Sequence, residues 1–423
     1  MQARWDGTRE IVKVLMLAPD FYPVIYGGIG NYVAEIAKRL PDDVEMHVLA
    51  PGRIIKKADC SVKSEELPSN VVVHNAGHAR GEYFHNFSFQ LQCRGRIESL
   101  IRELKIDIVH SHSSMPDFLV PPSKLNVPIV TTIHTTIEGH AASLMKVGIG
   151  LRDMKKSEVF ALATAPFLGY LEDLYYKSNR YFLTVSEWGR REISREKDID
   201  ESRIRAIHIG VDTRLFTPAL RQKAHTMFPE LAGISKPIVL YLSRFAARKG
   251  IHDLLKAIPI ALRETEVHFV FAGSNKPETL TLPERNCTFL GYVPRSVPPY
   301  LYAVSDIYVL PSLYENFPAS VLEAMASSCA VVATNICGIP EMIENRRNGL
   351  LIEPRSPNSI ARAIIELAEN PDLRATLGQE ARKDAVAGFS WERTVKETIE
   401  YYYHVISDFE TRKNRQIGIE AAA

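Results

Sequence analysis

PIVLYLSRFAARKGIHDLLKA (residues 237–257) reads as a strand-length apolar run, a loop with three cations, and the start of a helix that runs from Gly250 to about Leu262. The same order then repeats: VHFVFAG, CTFLG and DIYVLP are strand runs, residues 318–327 have helical periodicity, and AVVATN and GLLIEP follow as strands. Strand and helix in alternation are the pattern of parallel βαβ units. Upstream, the pattern already holds in IVKVLMLA (residues 11–18), the amphipathic residues 30–40, VEMHVLA, VVVH, DIVHSH, PIVTTIH and YFLTVS. The fold class is therefore α/β, with two Rossmann-like doubly wound parallel-sheet domains. Residues 204–231, with a Gly turn, Pro218 and a charged stretch, read as the linker, which puts the domains at 1–215 and 216–390. Residues 391–410 form a helix with aromatics on one face, expected to pack back on the first domain, and residues 411–423 read as a frayed tail. Open α/β sheets bind ligands at the carboxyl ends of their strands, so the site is expected between the domains.

Composition removes other classes. The chain has 423 residues, 51 Lys and Arg against 50 Asp and Glu, and 46% hydrophobic residues. The first 200 residues hold 25 basic and 25 acidic side chains, so neither half is a polycation and nucleic-acid binding is not expected. Five cysteines in no C-x-x-C pattern indicate neither a disulfide framework nor a zinc ribbon, and fit a reducing cytoplasm. The weakly charged residues 159–171 are shorter than the ~20 a bilayer demands and contain Pro166, so membrane contact is peripheral at most.

Four motifs can carry chemistry. Pro23 to Gly30, with Gly27 and Gly28, lies between the first strand and first helix, where glycines let N–H groups approach an anion; the alternative is a tight structural turn. It is no dinucleotide fingerprint, because Val33 stands where a third glycine belongs, and no Gly-Lys-Ser/Thr is present. Arg244, Arg248 and Lys249 stand at a strand's carboxyl end, suited to a diphosphate or, otherwise, to a solvated cluster. In PSLYENFPASVLEAMA (residues 311–326), Glu315 lies in a loop and Glu323 in a helix started by Pro318. Both carboxylates and the N–H groups of Ala319 and Ser320 then face one cleft, suited to a sugar bearing a phosphate; otherwise the two Glu are helix-end charges. His110, His112, His134, Glu138 and His140 have no metal-ligand spacing, and each reads first as a packed or hydrogen-bonded residue. His134, which ends a buried strand, is the best functional candidate among them.

Taken in order, these segments with LTVSEWGRREI, HIGVDTRLFTP, FLGYVP, CGIPEMIENRRNGLLIEP and the closing FSW helix resemble the family-4 retaining glycosyltransferases of GT-B architecture. The resemblance implies transfer of a hexosyl unit from a nucleotide-diphosphate sugar, with a UDP-sugar ahead of GDP-mannose, and neither a bound cofactor nor a metal. It implies that Gly27 and Gly28 approach the donor phosphates and that Arg244 and Lys249 hold the leaving diphosphate. Glu315 would contact the donor sugar, Glu323 the ribose, His134 the donor sugar or the reacting centre, and Asn316, Phe317, Pro318 and Ala319 would shape the donor loop. Asn316-Phe317-Pro318 departs from the commoner Gly-Phe-Gly. The implied partners are the donor and a small-molecule, glycan or lipid-linked acceptor, and the implied protein is a monomer or homodimer. A GT-B phosphorylase or epimerase is the remaining alternative, although no pyridoxal-binding Lys is identified.

Overall fold

The computed structural model describes residues 11–21, 27–51, 67–77, 85–113, 115–146, 156–178, 181–273 and 285–422. Pro23, Cys60, Arg152 and Lys155 lie outside the described residues. A seven-stranded sheet contains β1 (Val12–Leu17), β2 (Val44–Ala50), β3 (Val71–Asn75), β4 (Ile108–His112), β5 (Ile129–Ile133), β6 (Tyr181–Thr184) and β7 (Ile204–Ala206). Its order is β3-β2-β1-β4-β5-β6-β7, and every pairing is parallel. A second, six-stranded sheet contains β8 (Ile238–Leu242), β9 (His268–Ala272), β10 (Cys287–Gly291), β11 (Ile307–Leu310), β12 (Ala330–Thr334) and β13 (Leu350–Ile352). Its order is β10-β9-β8-β11-β12-β13, again all parallel. β4, β5 and β12 are buried along their whole length because helices cover both faces of each sheet, even where β4 carries His110, Ser111 and His112 and β5 two threonines.

The strand order reverses between β1 and β4 in one sheet and between β8 and β11 in the other. Those reversals open crevices at the carboxyl ends, since the flanking connections leave in opposite directions. Each motif of the sequence analysis follows one of the strands at or next to these openings.

Local details depart from the sequence reading. The stretch read as a linker carries β7, an edge strand of three residues, and a helix, Arg221–Met227, packed against the helix Pro298–Val304. Three residues are too few to display a period. Pro166 does not interrupt its helix, which runs unbroken over Lys156–Lys177 with Pro166 on its exposed side. The last helix is Trp391–Ala422, so the expected frayed tail is helical almost to the end. Its aromatic face lies on the first sheet. The Tyr402 hydroxyl is 2.5 Å from His110 Nδ1, the Tyr401 hydroxyl donates to Phe182 O at 3.2 Å, and the Tyr181 hydroxyl donates to Asp408 Oδ2 at 2.6 Å.

Candidate functional site

The glycine loop is organised by Asp20, a residue the motif search passed over. Gly27 N–H donates to Asp20 Oδ2 at 2.6 Å, and a Cβ on Gly30 would fall 2.6 Å from Asp20 O. Gly30 is thus required for close approach of backbone to backbone. A Cβ on Gly28, by contrast, would meet nothing within 4 Å, and Gly28 lines the cleft at the start of the helix Gly28–Ala37.

On the other side, β8 ends at Leu242 and the chain passes through Arg244 and a tight turn at Ala247–Lys249 to Gly250. Gly250 has φ 70°, and a Cβ there would sit 1.8 Å from Pro311 O. Only glycine fits that contact, which presses the loop after β8 against the loop after β11. Lys249 and Glu315, 66 residues apart in sequence, are joined as an ion pair at Glu315 Oε1, and Arg248 Nη1 lies 3.5 Å from the same oxygen. Burial alone would raise the Glu315 carboxyl, but Lys249 and Arg248 outweigh it and hold it below the usual carboxylate range. Burial lowers the Lys249 ammonium from its ordinary value, with Glu315 opposing.

Pro318 is the cap of the helix Ala319–Ala326 rather than its first residue, and no side chain caps that end. The first helical N–H groups, at Ala319 and Ser320, therefore face the cavity with the positive end of the helix dipole. One turn on, Glu323 lines the adjoining part of the cleft with Arg295 and Tyr302. Burial pushes its carboxyl up to about 7, with Tyr302 and Arg295 pulling the other way.

His134 closes β5 and reaches the cavity at the end of a file of three imidazoles. His134 Nε2 is 3.3 Å from His112 Nδ1, the two rings stack with centroids 5.4 Å apart, and His110 lies 4.9 Å beyond, bonded to Tyr402 and, through Nε2, to the Thr132 hydroxyl at 2.6 Å. Burial lowers His134 to about 4; burial and the neighbouring His134 lower His110 to about 3. Burial, followed by His110 and His134, lowers His112 well below its ordinary value. All three are neutral at pH 7, so His134 offers the cleft a neutral nitrogen. Among the described residues, no group of three or more His, Cys, Asp or Glu is placed to hold a metal ion. Glu138 instead turns to the buried Lys197, at 3.1 Å.

Gly28, His134, Arg244, Lys249, Glu315, Asn316, Phe317, Pro318 and Ala319 line one cavity of about 470 Å³. Glu323 lines a second of about 690 Å³, and the two share Asn31, Leu242, Ala319, Ser320 and Trp391, forming a continuous cleft. Gly27 stays outside, against Asp20. The sequence reading missed Asn31, Tyr32 and Trp391 as walls; the Tyr32 ring stands edge-on to His134 at 5.2 Å.

Two cross-links tie the sheets together at the cleft. Asn316 Nδ2 donates to His134 O at 3.0 Å and to Thr184 Oγ1 at 3.3 Å, while Ser186 donates to Asn316 Oδ1. Glu341 accepts from Glu187 N at 2.9 Å and Trp188 N at 2.7 Å, the first two N–H groups of the helix Glu187–Lys197, whose third is capped by Ser186 Oγ, and meets His208 Nε2 at 2.8 Å. The His208 ring stacks on Phe317 at 4.7 Å.

Comparison with known proteins gives the family and the fold. Residues 26–215 match the family model described as Glycosyltransferase Family 4, and residues 224–384 match Glycosyl transferases group 1. An uncharacterized glycosyltransferase of Methanocaldococcus jannaschii is 28% identical over 92% of this chain and 98% of its own length. D-inositol 3-phosphate glycosyltransferase of Salinispora arenicola is 27% identical over 90% of this chain and 88% of its own. Among solved structures, sucrose-phosphate synthase of Thermosynechococcus elongatus superposes with TM-score 0.74 at 18% identity, covering 94% of this chain and all of that one. Anabaena HepE in complex with UDP superposes with TM-score 0.66 at 17% identity, covering 93% and 100%. These structural likenesses show the fold.

Proposed function

The chain belongs to the family-4, group 1 glycosyltransferases and has their GT-B architecture, and from that premise we propose a retaining hexosyltransferase that draws on a nucleotide-diphosphate sugar and requires no metal. The observation that carries the proposal is the meeting, in one cavity, of Arg244, the Lys249–Glu315 pair and an uncapped helix end. Glycosyl transfer builds positive charge at the anomeric carbon and negative charge on the leaving diphosphate, and fixed cations and N–H dipoles stabilise the latter without reorganising. Arg244, Lys249 and the N–H groups of Ala319 and Ser320 take the diphosphate, with Gly28 leaving room for it. Glu315 uses Oε1 for its cations and keeps Oε2 for the donor sugar's hydroxyls. Glu323 accepts from the ribose hydroxyls in the adjoining cavity.

The bond from the anomeric carbon to the diphosphate oxygen breaks as the acceptor oxygen adds on the same face. The acceptor's proton passes to the departing phosphate oxygen, and the products are a glycoside and a nucleoside diphosphate. His134, neutral at pH 7, orients the sugar by hydrogen bonding. HepE was solved with UDP, which makes UDP-sugars the first donors to test, ahead of GDP-mannose. The acceptor enters from the side of the first sheet, beside His134 and Tyr32. Among the described residues no helix is long and apolar enough to cross a membrane, and any lipid-linked acceptor is met peripherally.

The test is nucleotide release from a panel of nucleotide sugars with soluble and lipid acceptors, with and without EDTA, and the anomeric configuration of the product by NMR. Glu315→Gln and Lys249→Ala each reduce transfer by about a hundredfold or more, as expected for a lost transition-state charge contact. Wild-type turnover in both variants refutes the site; an inverted product or loss of activity with EDTA refutes the mechanism.

A further inference from the structure

The helix Lys156–Lys177 is amphipathic the wrong way round for an isolated chain. Its inward side holds Glu172, fully buried and 3.3 Å from the Lys197 ammonium, along with the buried Tyr175 and Tyr176. Its outward side carries Phe160 (46% exposed), Phe167 (65%), Tyr170 (60%) and Leu174 (47%), with exposed Ala163 between them. The spacing 160, 163, 167, 170, 174 alternates steps of three and four, the 3.5-residue period of a helix-packing seam, sustained over about 21 Å at ~1.5 Å per residue. Met145, 68% exposed, extends the apolar surface on the neighbouring helix Ile137–Lys146, which packs against this one.

We propose that this stripe is a homodimer interface, in which the helix pairs antiparallel with the same helix of a second copy across a two-fold axis. Two features select that occupant. The stripe is narrow, two positions in seven, which suits a partner helix, whereas a helix lying in a lipid surface presents a broad apolar face. It is also self-complementary end to end. Phe167 lies seven residues from both Phe160 and Leu174. Turning the helix over about Phe167 brings Phe160 opposite the partner's Leu174, and the small Ala163 to within one residue, about 1.5 Å along the axis, of the partner's Tyr170, as an isologous contact requires.

The area sets the strength. Aromatic side chains present about 150–250 Å² each, so three at roughly half exposure, with Leu174 and Met145, offer on the order of 500 Å² per copy. That gives about 1,000 Å² in all, the lower edge of a specific interface, which places the contact among weak, concentration-dependent associations, for which a roughly micromolar constant is the working range. The pairing leaves the donor cleft untouched and does not depend on the proposed reaction.

Sedimentation equilibrium across about 1–200 µM is the test, a range chosen to bracket a micromolar constant. Wild type moves from 47.6 kDa toward twice that mass, and Phe167→Glu/Tyr170→Glu stays at the monomer mass with an unchanged melting curve, since both side chains face solvent in the monomer. With a short bis-maleimide, Phe167→Cys gives a covalent dimer that wild type does not. A wild type that stays at 47.6 kDa throughout overturns the proposal, as does a double variant that dimerises equally well. Co-sedimentation of a monomeric wild type, but not the double variant, with phosphatidylglycerol vesicles would reassign the stripe to lipid.

Discussion

Glu323 makes the reading testable without knowledge of the acceptor. Its carboxyl stands at about 7 in the folded protein, against an ordinary 4.5, because burial removes the water that would stabilise the charge. A folded-state value above the unfolded one means that the native protein holds the proton more tightly. Stability is therefore fully present below pH 4.5 and is lost as pH rises to 7, after which the loss is constant. The rise from 4.5 to about 7 corresponds to roughly 3 kcal/mol at about 1.36 kcal/mol per pH unit, an upper figure for a group that also borders the cleft. Glu323→Gln removes the titration and keeps the shape. Urea denaturation at pH 5, 6, 7 and 8 should show the variant gaining on wild type by up to about 3 kcal/mol at pH 8, with the difference shrinking toward pH 5. Binding should behave in the opposite sense. If ribose hydroxyls donate to this carboxylate, a nucleotide sugar is bound with proton release below pH 7, visible by calorimetry in buffers of different ionisation enthalpy. A nucleotide sugar is chosen because a terminal phosphate itself titrates near pH 6. A stability difference independent of pH would falsify the buried-carboxyl account, and equal proton release by Glu323→Gln would detach this residue from the donor.

Four further outcomes are expected. Gly28→Leu leaves the melting curve within about half a kcal/mol, because its side chain enters open cleft, yet weakens nucleotide-sugar binding at least about tenfold by titration calorimetry. Gly250→Ala instead loses more than about 2 kcal/mol in urea, from the left-handed backbone and the clash with Pro311 O. Asn316→Ala leaves His134 O and Thr184 Oγ1 without their cross-link, costs about 1–3 kcal/mol, and lowers kcat more than it raises the donor KM. His112→Phe removes the ring nitrogen beside His134 and lowers kcat about tenfold, one hydrogen bond's worth, with Asn at the same position restoring part of it.

The architecture was legible because parallel strands covered on both faces are mostly apolar, so β1, β8, β11 and β12 and the Ile-Val starts of β4 and β5 stand out from the polar loops around them. β7 did not, being three residues at a sheet edge. Arg244, Lys249 and Glu315 could be chosen as charges following apolar strands, but the Lys249–Glu315 contact could not, since it depends on β8 and β11 being neighbours and on the shape of Gly250. Asn316 drew notice as a departure from Gly-Phe-Gly, although its amide spans to the first sheet, and no local pattern records a partner 182 residues away. Asp20 is passed over for the same reason, and Trp391 is read as the start of the last helix but not as a wall of the cleft. Asp20 matters through Gly27 and Gly30, and Trp391 through its backbone, which a Cβ on Gly210 would strike at 2.3 Å. The Glu323 value near 7 depends on burial, which the spacing Glu-x₇-Glu does not carry.

The cleft belongs to neither sheet alone. Glu315 and Asn316 are adjacent, yet one faces Lys249 and Arg248 of the second sheet while the other holds the carbonyl of His134 on the first. A movement that opened the sheets would first have to break the half-buried Asn316 amide contact to His134 O and the Glu341 cap on residues 187 and 188, whose bond to Trp188 N is half-buried and whose bond to Glu187 N is exposed. The C-terminal helix adds a third tie. Trp391 starts it at the cleft wall, and Tyr402 on the same helix ends the imidazole file that begins at His134. The groups assigned to the sugar therefore take their relative positions from polar contacts between the sheets, whereas the cations and the helix end assigned to the diphosphate are set by contacts within the second sheet, with only Gly28 facing them from the first. Loss of a tie should for that reason fall on turnover, where a misplacement of about 1 Å costs on the order of a hundredfold, and spare nucleotide affinity.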